Sequence, residues 1–349
     1  MNSEEERPIL ALTMGDPAGV GPEIILKALA LPEARETARL LVVADGGVME
    51  RAAEIVGSPL RIERVGHPRE TGEDPEVLYL YDLDNVDQES FSYGRLSPMC
   101  GRAAYESIER AIEFASAGEV AANVTAPINK EALKLAGVDY AGHTEIYADK
   151  TGTRDYAMML VHKGLHVIHV STHVSLREAC DLVSRERVGK VVHLADQALR
   201  RLEVKAPKIA VAGLNPHAGE NGMFGREEIE EISPALEEAR ERGINAIGPL
   251  PPDTLFPRAA GGEYDCVVAM YHDQGHIPLK LLGFRYDSGT GAFTDVKGVN
   301  VTLGLPILRT SVDHGTAFDR AGTGEANEAS EVEAIRYAAK LCRQRGKPS

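Results

Sequence analysis

The chain of 349 residues has no tryptophan, and its aromatic residues amount to only 5%. Stacking platforms for bases or sugar rings therefore have little to be built from. Cysteine is scarce: Cys100, Cys180, Cys266 and Cys342 stand far apart and form no CxxC pair. That spacing argues against a disulfide framework and a thiolate zinc centre, and suits a reducing compartment. No apolar run approaches the roughly 18 residues of a membrane span. The opening MNSEEERPILALTMGD is acidic where a secretory leader needs a basic segment before a long apolar one, so a cytoplasmic protein is expected. Basic residues are also in deficit, 38 Lys plus Arg against 53 Asp plus Glu, for a net charge of −15. A surface of that sign argues against nucleic acid and anionic membranes as partners. Any anionic small molecule has to be met by a few local basic groups.

What is present is the alternation of short β-branched runs with helical patterns over the whole length, the mark of α/β architecture with a substantially parallel sheet. Strands are expected at Pro8–Met14, Arg39–Asp45, Val77–Leu83, Leu165–Val170, Lys208–Leu214 and Cys266–Tyr271. Helices are expected at Pro22–Leu31, with Pro at its first position and Glu23 in its first turn, and over Gly101–Ala117 and Ser184–Leu202. Glu73–Pro75 and the Gly/Ser/Thr-rich Asp287–Val296 read as surface loops, the second long enough to be a lid or an insertion.

In α/β proteins ligands gather at the carboxyl ends of strands, and three of these strands run into a histidine. His173 follows Ser171-Thr172, His217 lies in LNPHAGE, and His272 lies in YHDQG. Three neutral imidazoles converging from separate strands would bind a divalent cation and leave positions open for substrate. Spacing alone fits three unrelated loop histidines equally well. His67, His162, His166, His169 and His193 read as structural.

The segments TMGDPAGVGPEI (13–24), TAPINKEAL (125–133), AGHTEIYAD (141–149), STHVSL (171–176), AGLNPHAGE (212–220), GPLPPDTLF (248–256), MYHDQGHIPLK (270–280) and GVNVTLGLPILRTSVDHGTA (298–317) resemble the 4-hydroxythreonine-4-phosphate dehydrogenase family. That family includes a vitamin B6 enzyme and its sugar-acid-phosphate paralogues, and the likeness runs in order over essentially the whole chain. More distantly, GDPAGVGPEI resembles the GDGIGPE segment of isopropylmalate and isocitrate dehydrogenases. HGTAFDRAGTGEAN (314–327) resembles their HGSAPDIAGKGIAN stretch, which holds the adenosine of the dinucleotide.

The resemblance implies a two-domain α/β subunit of the isocitrate/isopropylmalate dehydrogenase type, with the active site in the interdomain cleft. A discontinuous cofactor domain is expected over 1–130 plus 275–349, and a substrate, metal and dimerisation domain over 131–274. It also implies a homodimer with the metal site at the subunit interface. Carried over residue by residue, the metal ligands fall on His173, His217 and His272, and the substrate contacts on His143, Thr144, Lys280, Asn300 and Arg309. Cofactor contacts fall on His314, Gly315, Gly322, Gly324 and Asn327, where glycines would let the backbone approach the dinucleotide. Thr144 reads equally as a helix cap. Asp253, Asp273 and Lys280 are the candidates for catalysis, although Asp253 fits a turn after Pro251-Pro252 as well.

The implied reaction is NAD-dependent (or NADP-dependent) oxidation of a secondary alcohol, assisted by zinc, cobalt or magnesium, giving a 3-oxo acid that loses CO₂. 4-Phosphooxy-L-threonine is expected first as substrate, yielding 3-amino-2-oxopropyl phosphate. D-threonate or D-erythronate 4-phosphate, yielding dihydroxyacetone phosphate, is the alternative. The segment 285–297 is longer than the vitamin B6 enzyme calls for and leaves that choice open. A catalytically inactive metal- or phosphate-binding relative is the remaining reading.

Overall fold

The computed structural model describes residues 7–289, 292–296 and 298–343, the stretch 292–296 by its backbone alone. Its strands are β1 (Ile9–Thr13), β2 (Arg39–Ala44), β3 (Arg61–Arg64), β4 (Val77–Asp82), β5 (Ala122–Thr125), β6 (Ala157–His162), β7 (Leu165–His169), β8 (Ile209–Ala212), β9 (Ala246–Leu250), β10 (Cys266–Ala269), β11 (Phe284–Asp287), β12 (Ala292–Val296), β13 (Val299–Leu303) and β14 (Leu308–Val312). Two compact units emerge, Met1–Arg154 with Leu305–Ser349, and Asp155–Gly304.

In the first unit the strands run β3-β4-β2-β1-β5-β14, each pair parallel. A parallel strand covered by helices on both faces needs a continuous apolar run, and β1 (ILALT), β5 (ANVT) and β14 (LRTSV) are buried at every position. Full burial of each leucine here, Leu10, Leu12 and Leu41 among them, contributes about 1.5–3 kcal/mol. The covering helices start where the sequence supplies caps: Asp45 accepts from the Val48 amide ahead of Gly46–Val56, and Ser97 from that of Cys100 ahead of Pro98–Ser116.

The second unit is mixed, in the order β13-β6-β7-β10-β8-β9. β13 and β7 flank β6 antiparallel, and β7, β10, β8 and β9 continue in parallel. Its core gathers Leu160, Val167, Ala210, Leu255, Val267 and Leu279.

The division falls after residues 154 and 304, not near 130 and 275. Helices Lys130–Leu135 and His143–Lys150 pack on Pro98–Ser116, which keeps them in the first unit. Pairing of Asn300 with Leu160 across β13 and β6 keeps the segment before residue 304 in the second. Within the stretch expected as a surface loop at Asp287–Val296, Asp287 ends β11 and Ala292–Val296 form β12, and these two strands pair antiparallel. Of the 285–297 segment, residues 290, 291 and 297 lie outside the described residues. No helix among the described residues is long and apolar enough to cross a membrane.

Candidate active site

In the first unit, parallel register sets Arg309 of β14 against Asn123 of β5. The arginine is 2% exposed, and its Nε and Nη2 donate to Thr125 Oγ1 at 3.2 and 2.8 Å. Its guanidinium carbon lies 5.8 Å from the centre of the Tyr147 ring, whose hydroxyl accepts from Asn123 Nδ2 at 3.1 Å. Burial brings Arg309 down to about 10, so it stays cationic at neutral pH. His143 opens the His143–Lys150 helix. Burial, and then the Arg309 charge, hold it well below the usual histidine range, so it is neutral. Its Nε2 is sealed from solvent and has no hydrogen-bond partner among the described residues. The helix cap is Gly142 with no side-chain bond, so Thr144 belongs to the first turn and is not the cap. A desolvated cation beside a neutral imidazole suits an anionic ligand.

The loop after β14 belongs to the same unit. His314 directs Nδ1 at the Gly315 carbonyl, 2.9 Å away, which leaves Nε2 as an acceptor. That Nε2 is buried without a partner among the described residues, an orphan that an exocyclic amine would satisfy. Asn327 Oδ1 accepts from the Ala329 amide and starts the terminal helix Ala329–Cys342. Gly315 faces open space, whereas Gly322 and Gly324 adopt φ of 82° and 75°. Their amides do not face an open cofactor site, because both donate to Glu23 of the Gly21–Leu29 helix.

The second unit carries the histidines. His272 opens the helix His272–Gly283, with Nδ1 2.7 Å from Asp273 Oδ1, an arrangement that leaves Nε2 for a ligand. The rings of His173 and His272 are 5.7 Å apart. His276 stacks on His272 at 3.6 Å and 11°, and His169 of β7 lies 4.7 Å from His276. Burial lowers His169 to about 3 and His276 to about 4, so both are neutral imidazoles. Gly275 is required there, since a Cβ would meet His169 Nε2 at 2.3 Å. A cavity of about 560 Å³ lined by Thr172, His173, Ser175, Glu178, Tyr271, His272 and Asp273 opens beside the cluster.

His217 lies in an unusual turn. Residues 217–221 all have positive φ, from 42° to 81°, and only Gly219 among them is a glycine. Left-handed backbone of this kind stores strain and persists only where its surroundings impose it. Buried Glu228, at the start of a π turn, supplies that support: it accepts from the Leu214 and Asn215 amides, both at 2.8 Å, and from Asn215 Nδ2 at 2.9 Å. The ring of His217 lies 6.2 Å from that of Phe224. Among the described residues no three His, Cys, Asp or Glu side chains gather closely enough to hold a metal ion. Imidazoles of this kind are suitable donors for a divalent ion.

Lys280 Nζ lies 5.1 Å from the Phe284 ring, and His272, His276 and Lys280 follow at four-residue steps along one helix face. Asn300 Nδ2 donates to Met158 Sδ, while its Oδ1 is buried without a partner among the described residues. Asp253 is exposed in the first turn of the helix Pro252–Ala260, where its Oδ1 accepts from the neighbouring Thr254 amide. His169, His276, Glu23, Lys27 and Glu228 were not singled out as site residues from the sequence. Of these, only His276 carried a local signal, its spacing of four from His272 on one helix.

Comparison with known proteins gives a consistent picture. The sequence model of the family described as pyridoxal phosphate biosynthetic protein PdxA matches residues 36–338. A D-threonate 4-phosphate dehydrogenase of Salmonella typhimurium is 48% identical over 340 residues, 96% of this chain and 99% of that protein. The crystal structure of 4-hydroxythreonine-4-phosphate dehydrogenase from Klebsiella pneumoniae aligns with a TM-score of 0.86 at 45% identity, over 97% of this chain and 99% of that one. A terephthalate 1,2-cis-dihydrodiol dehydrogenase from Burkholderia xenovorans LB400 aligns at 0.66 with 30% identity, over 96% and 98% of the two chains.

Proposed function

Since the chain belongs to the pyridoxal phosphate biosynthetic protein PdxA family, and is a dehydrogenase of that family, we propose that it oxidises the secondary alcohol of a 4-phosphorylated four-carbon hydroxy acid, with NAD as hydride acceptor. NADP is the alternative acceptor. The observation that carries the reading is buried Arg309, seated with Thr125, Tyr147 and neutral His143 in an otherwise acidic chain. A phosphate or carboxylate is the ligand that such a group attracts. D-threonate 4-phosphate is put first because the Salmonella typhimurium relative bears that name at 48% identity. 4-Phosphooxy-L-threonine, expected first from the sequence, is the second reading, supported by the naming of the Klebsiella pneumoniae structure at 45% identity.

NAD, when bound, would accept the hydride from C3 of the substrate, and the hydroxyl proton would pass to a base. The 3-oxo acid then loses CO₂, giving dihydroxyacetone phosphate from D-threonate 4-phosphate or 3-amino-2-oxopropyl phosphate from the amino acid. Asp273 is engaged with His272 and Asp253 with its own helix start, so Lys280, on the histidine face, is the proposed base. Thr144 and Asn300 are proposed to complete the substrate contacts, and His314 with its loop to hold the adenosine. A divalent ion on His173, His217 and His272 (zinc, cobalt or magnesium) would supply Lewis-acid stabilisation of the developing oxyanion. The proposal includes a homodimer that completes this ligand set. Ile277, Leu281 and Leu282, 57%, 77% and 50% exposed on the helix that begins at His272, offer it an apolar face.

Following NADH absorbance with metal-supplemented enzyme tests the reading. D-threonate 4-phosphate is expected to exceed 4-phosphooxy-L-threonine in kcat/KM by about 10-fold or more, the usual yield of one repositioned polar contact. The reverse order would assign the protein to vitamin B6 synthesis. NADH binding with turnover of neither compound would make it an inactive relative.

A further inference from the structure

The Gly21–Leu29 helix reaches the 314–328 loop with two side chains one turn apart. Glu23, 0% exposed, accepts from the Gly322 amide through Oε1 at 2.6 Å and from the Gly324 amide through Oε2 at 2.7 Å. Lys27 donates to the Gly324 and Ala326 carbonyls at 3.2 and 2.5 Å, and lies 3.5 Å from Glu328. The anion thus takes the loop's amides and the cation its carbonyls. A further backbone bond, from the Val20 amide to the Thr316 carbonyl at 3.0 Å, ties the helix start to the beginning of the loop. Both glycines need left-handed φ for this, and a Cβ on Gly322 would press on Tyr93 at 3.0 Å. These contacts join two motifs that lie about 300 residues apart in sequence (|i−j| of 299 for Gly322 with Glu23).

We infer that Glu23 and Lys27 are positioning residues for the dinucleotide: they clamp the loop in its binding shape, and the Gly322 and Gly324 amides serve that clamp instead of donating to the pyrophosphate. This rests on the reading that the loop binds NAD. The physical ground is preorganisation. A loop with its own amides and carbonyls satisfied needs no ordering when the cofactor arrives, so the ordering cost does not come out of the affinity. A carboxylate facing both amides would also repel the pyrophosphate, which keeps the phosphates away from the two glycines.

The test is titration of NADH by fluorescence into wild type, Glu23→Gln, Lys27→Met and Lys27→Arg, with kcat, both KM values and the melting temperature measured alongside. Glu23→Gln sets an amide NH₂ against a glycine N–H and is expected to weaken NADH by about 10- to 100-fold, the worth of one hydrogen bond to a charged group. Its kcat at saturating NAD and the KM of the hydroxy acid should stay within about 3-fold. Lys27 is partly exposed, so Lys27→Met will fold even if Glu23→Gln does not. It should weaken NADH by about 3- to 10-fold, with recovery in Lys27→Arg, in line with one or two lost charge-assisted bonds at a half-buried site. Wild type that binds neither NADH nor NADPH would sink the dinucleotide reading and the clamp with it. Wild type that binds while Glu23→Gln and Lys27→Met bind equally well would sink the clamp alone. A uniform fall of kcat, both affinities and melting temperature would reduce the two residues to general scaffolding and also overturn the inference.

Discussion

The two units present their functional side chains in different states of completion. In the first, Arg309 is anchored on Thr125, and the loop from His314 to Glu328 is clamped by Glu23 and Lys27. In the second, His173 and His272 lie near one another, but His217 sits on a strained turn apart from any gathered ligand set among the described residues. On the proposed reading the contrast teaches which ligand needs what: a site for an anion or a dinucleotide would be finished by one chain's backbone and buried charge. The histidine site, as proposed, waits on an ion and a second copy. The buried acids repeat the contrast in reverse. Glu228 in the second unit is fully engaged, whereas Glu331 in the first is 0% exposed and neither of its oxygens has a partner among the described residues.

The largest effect is expected from the finished site. Arg309→Met removes the buried cation proposed to meet the substrate's anionic group, and hydrogen bonds to charged groups are worth about 1.5–3 kcal/mol each. Losing that charge should lower kcat/KM by about 100- to 1,000-fold, with Arg309→Lys restoring little because an ammonium cannot reproduce the planar guanidinium. Steady-state kinetics with the phosphorylated acid check this. A fall of only a few-fold would remove Arg309 from substrate recognition and blur the distinction between the units.

Next comes the unfinished site. His272→Ala should weaken zinc or cobalt by at least about 100-fold in calorimetric titration and leave the NADH affinity of the first unit unchanged. Diluting the wild-type enzyme below its dimer dissociation constant should lose metal affinity and keep NADH binding. Metal affinity that is independent of protein concentration would show that one chain closes the site after all.

How much of this was legible beforehand follows the same physics. The strand ends were legible, because buried parallel strands are written as apolar runs and β1, β2, β8 and β10 fall within the expected segments. The histidines beyond β7, β8 and β10 were legible as motif positions. The pairing of β11 with β12 was not: the Gly/Ser/Thr-rich sequence around the short strands Phe284–Asp287 and Ala292–Val296 reads as loop. Nor was the clamp, since no local pattern connects Glu23 to an amide about 300 residues away. The left-handed turn was hidden for another reason. Ala218, Glu220 and Asn221 adopt positive φ under tertiary constraint, with Glu228 imposing what local preference opposes.

The unsatisfied Glu331 supplies a pH test of the first unit. Burial raises its carboxyl to about 8 from an ordinary value near 4.5, so the folded state holds a proton that the unfolded chain releases. The stability it permits is complete below about pH 4.5, declines as pH rises, and is lost by about pH 8. Glu331→Gln should therefore match wild type at about pH 4.5 and below and be more stable near pH 8 by on the order of 4–5 kcal/mol, a rise of several degrees in melting temperature. Parallel melting curves across that range would mean that Glu331 finds a partner in solution.

The smallest expected effect separates the cost of left-handed backbone from the cost of the support beneath it. Gly57, in the first unit, has φ of 60° and nothing within 4 Å of where a Cβ would stand. Gly57→Ala should therefore report the conformational cost alone, about 1 kcal/mol. Gly219, beside His217, has φ of 81°, and its Cβ would meet Glu228 Oε2 at 2.6 Å. Gly219→Ala should cost about 1 kcal/mol more than Gly57→Ala, because the carboxylate must give way or the turn must open. Chemical denaturation of both variants measures the difference. If Glu228 is what holds the turn, the excess should come with weaker metal binding in Gly219→Ala and none in Gly57→Ala. Equal costs for the two alanines would mean that the turn carries its strain without Glu228, and the second unit would then be as self-supporting as the first.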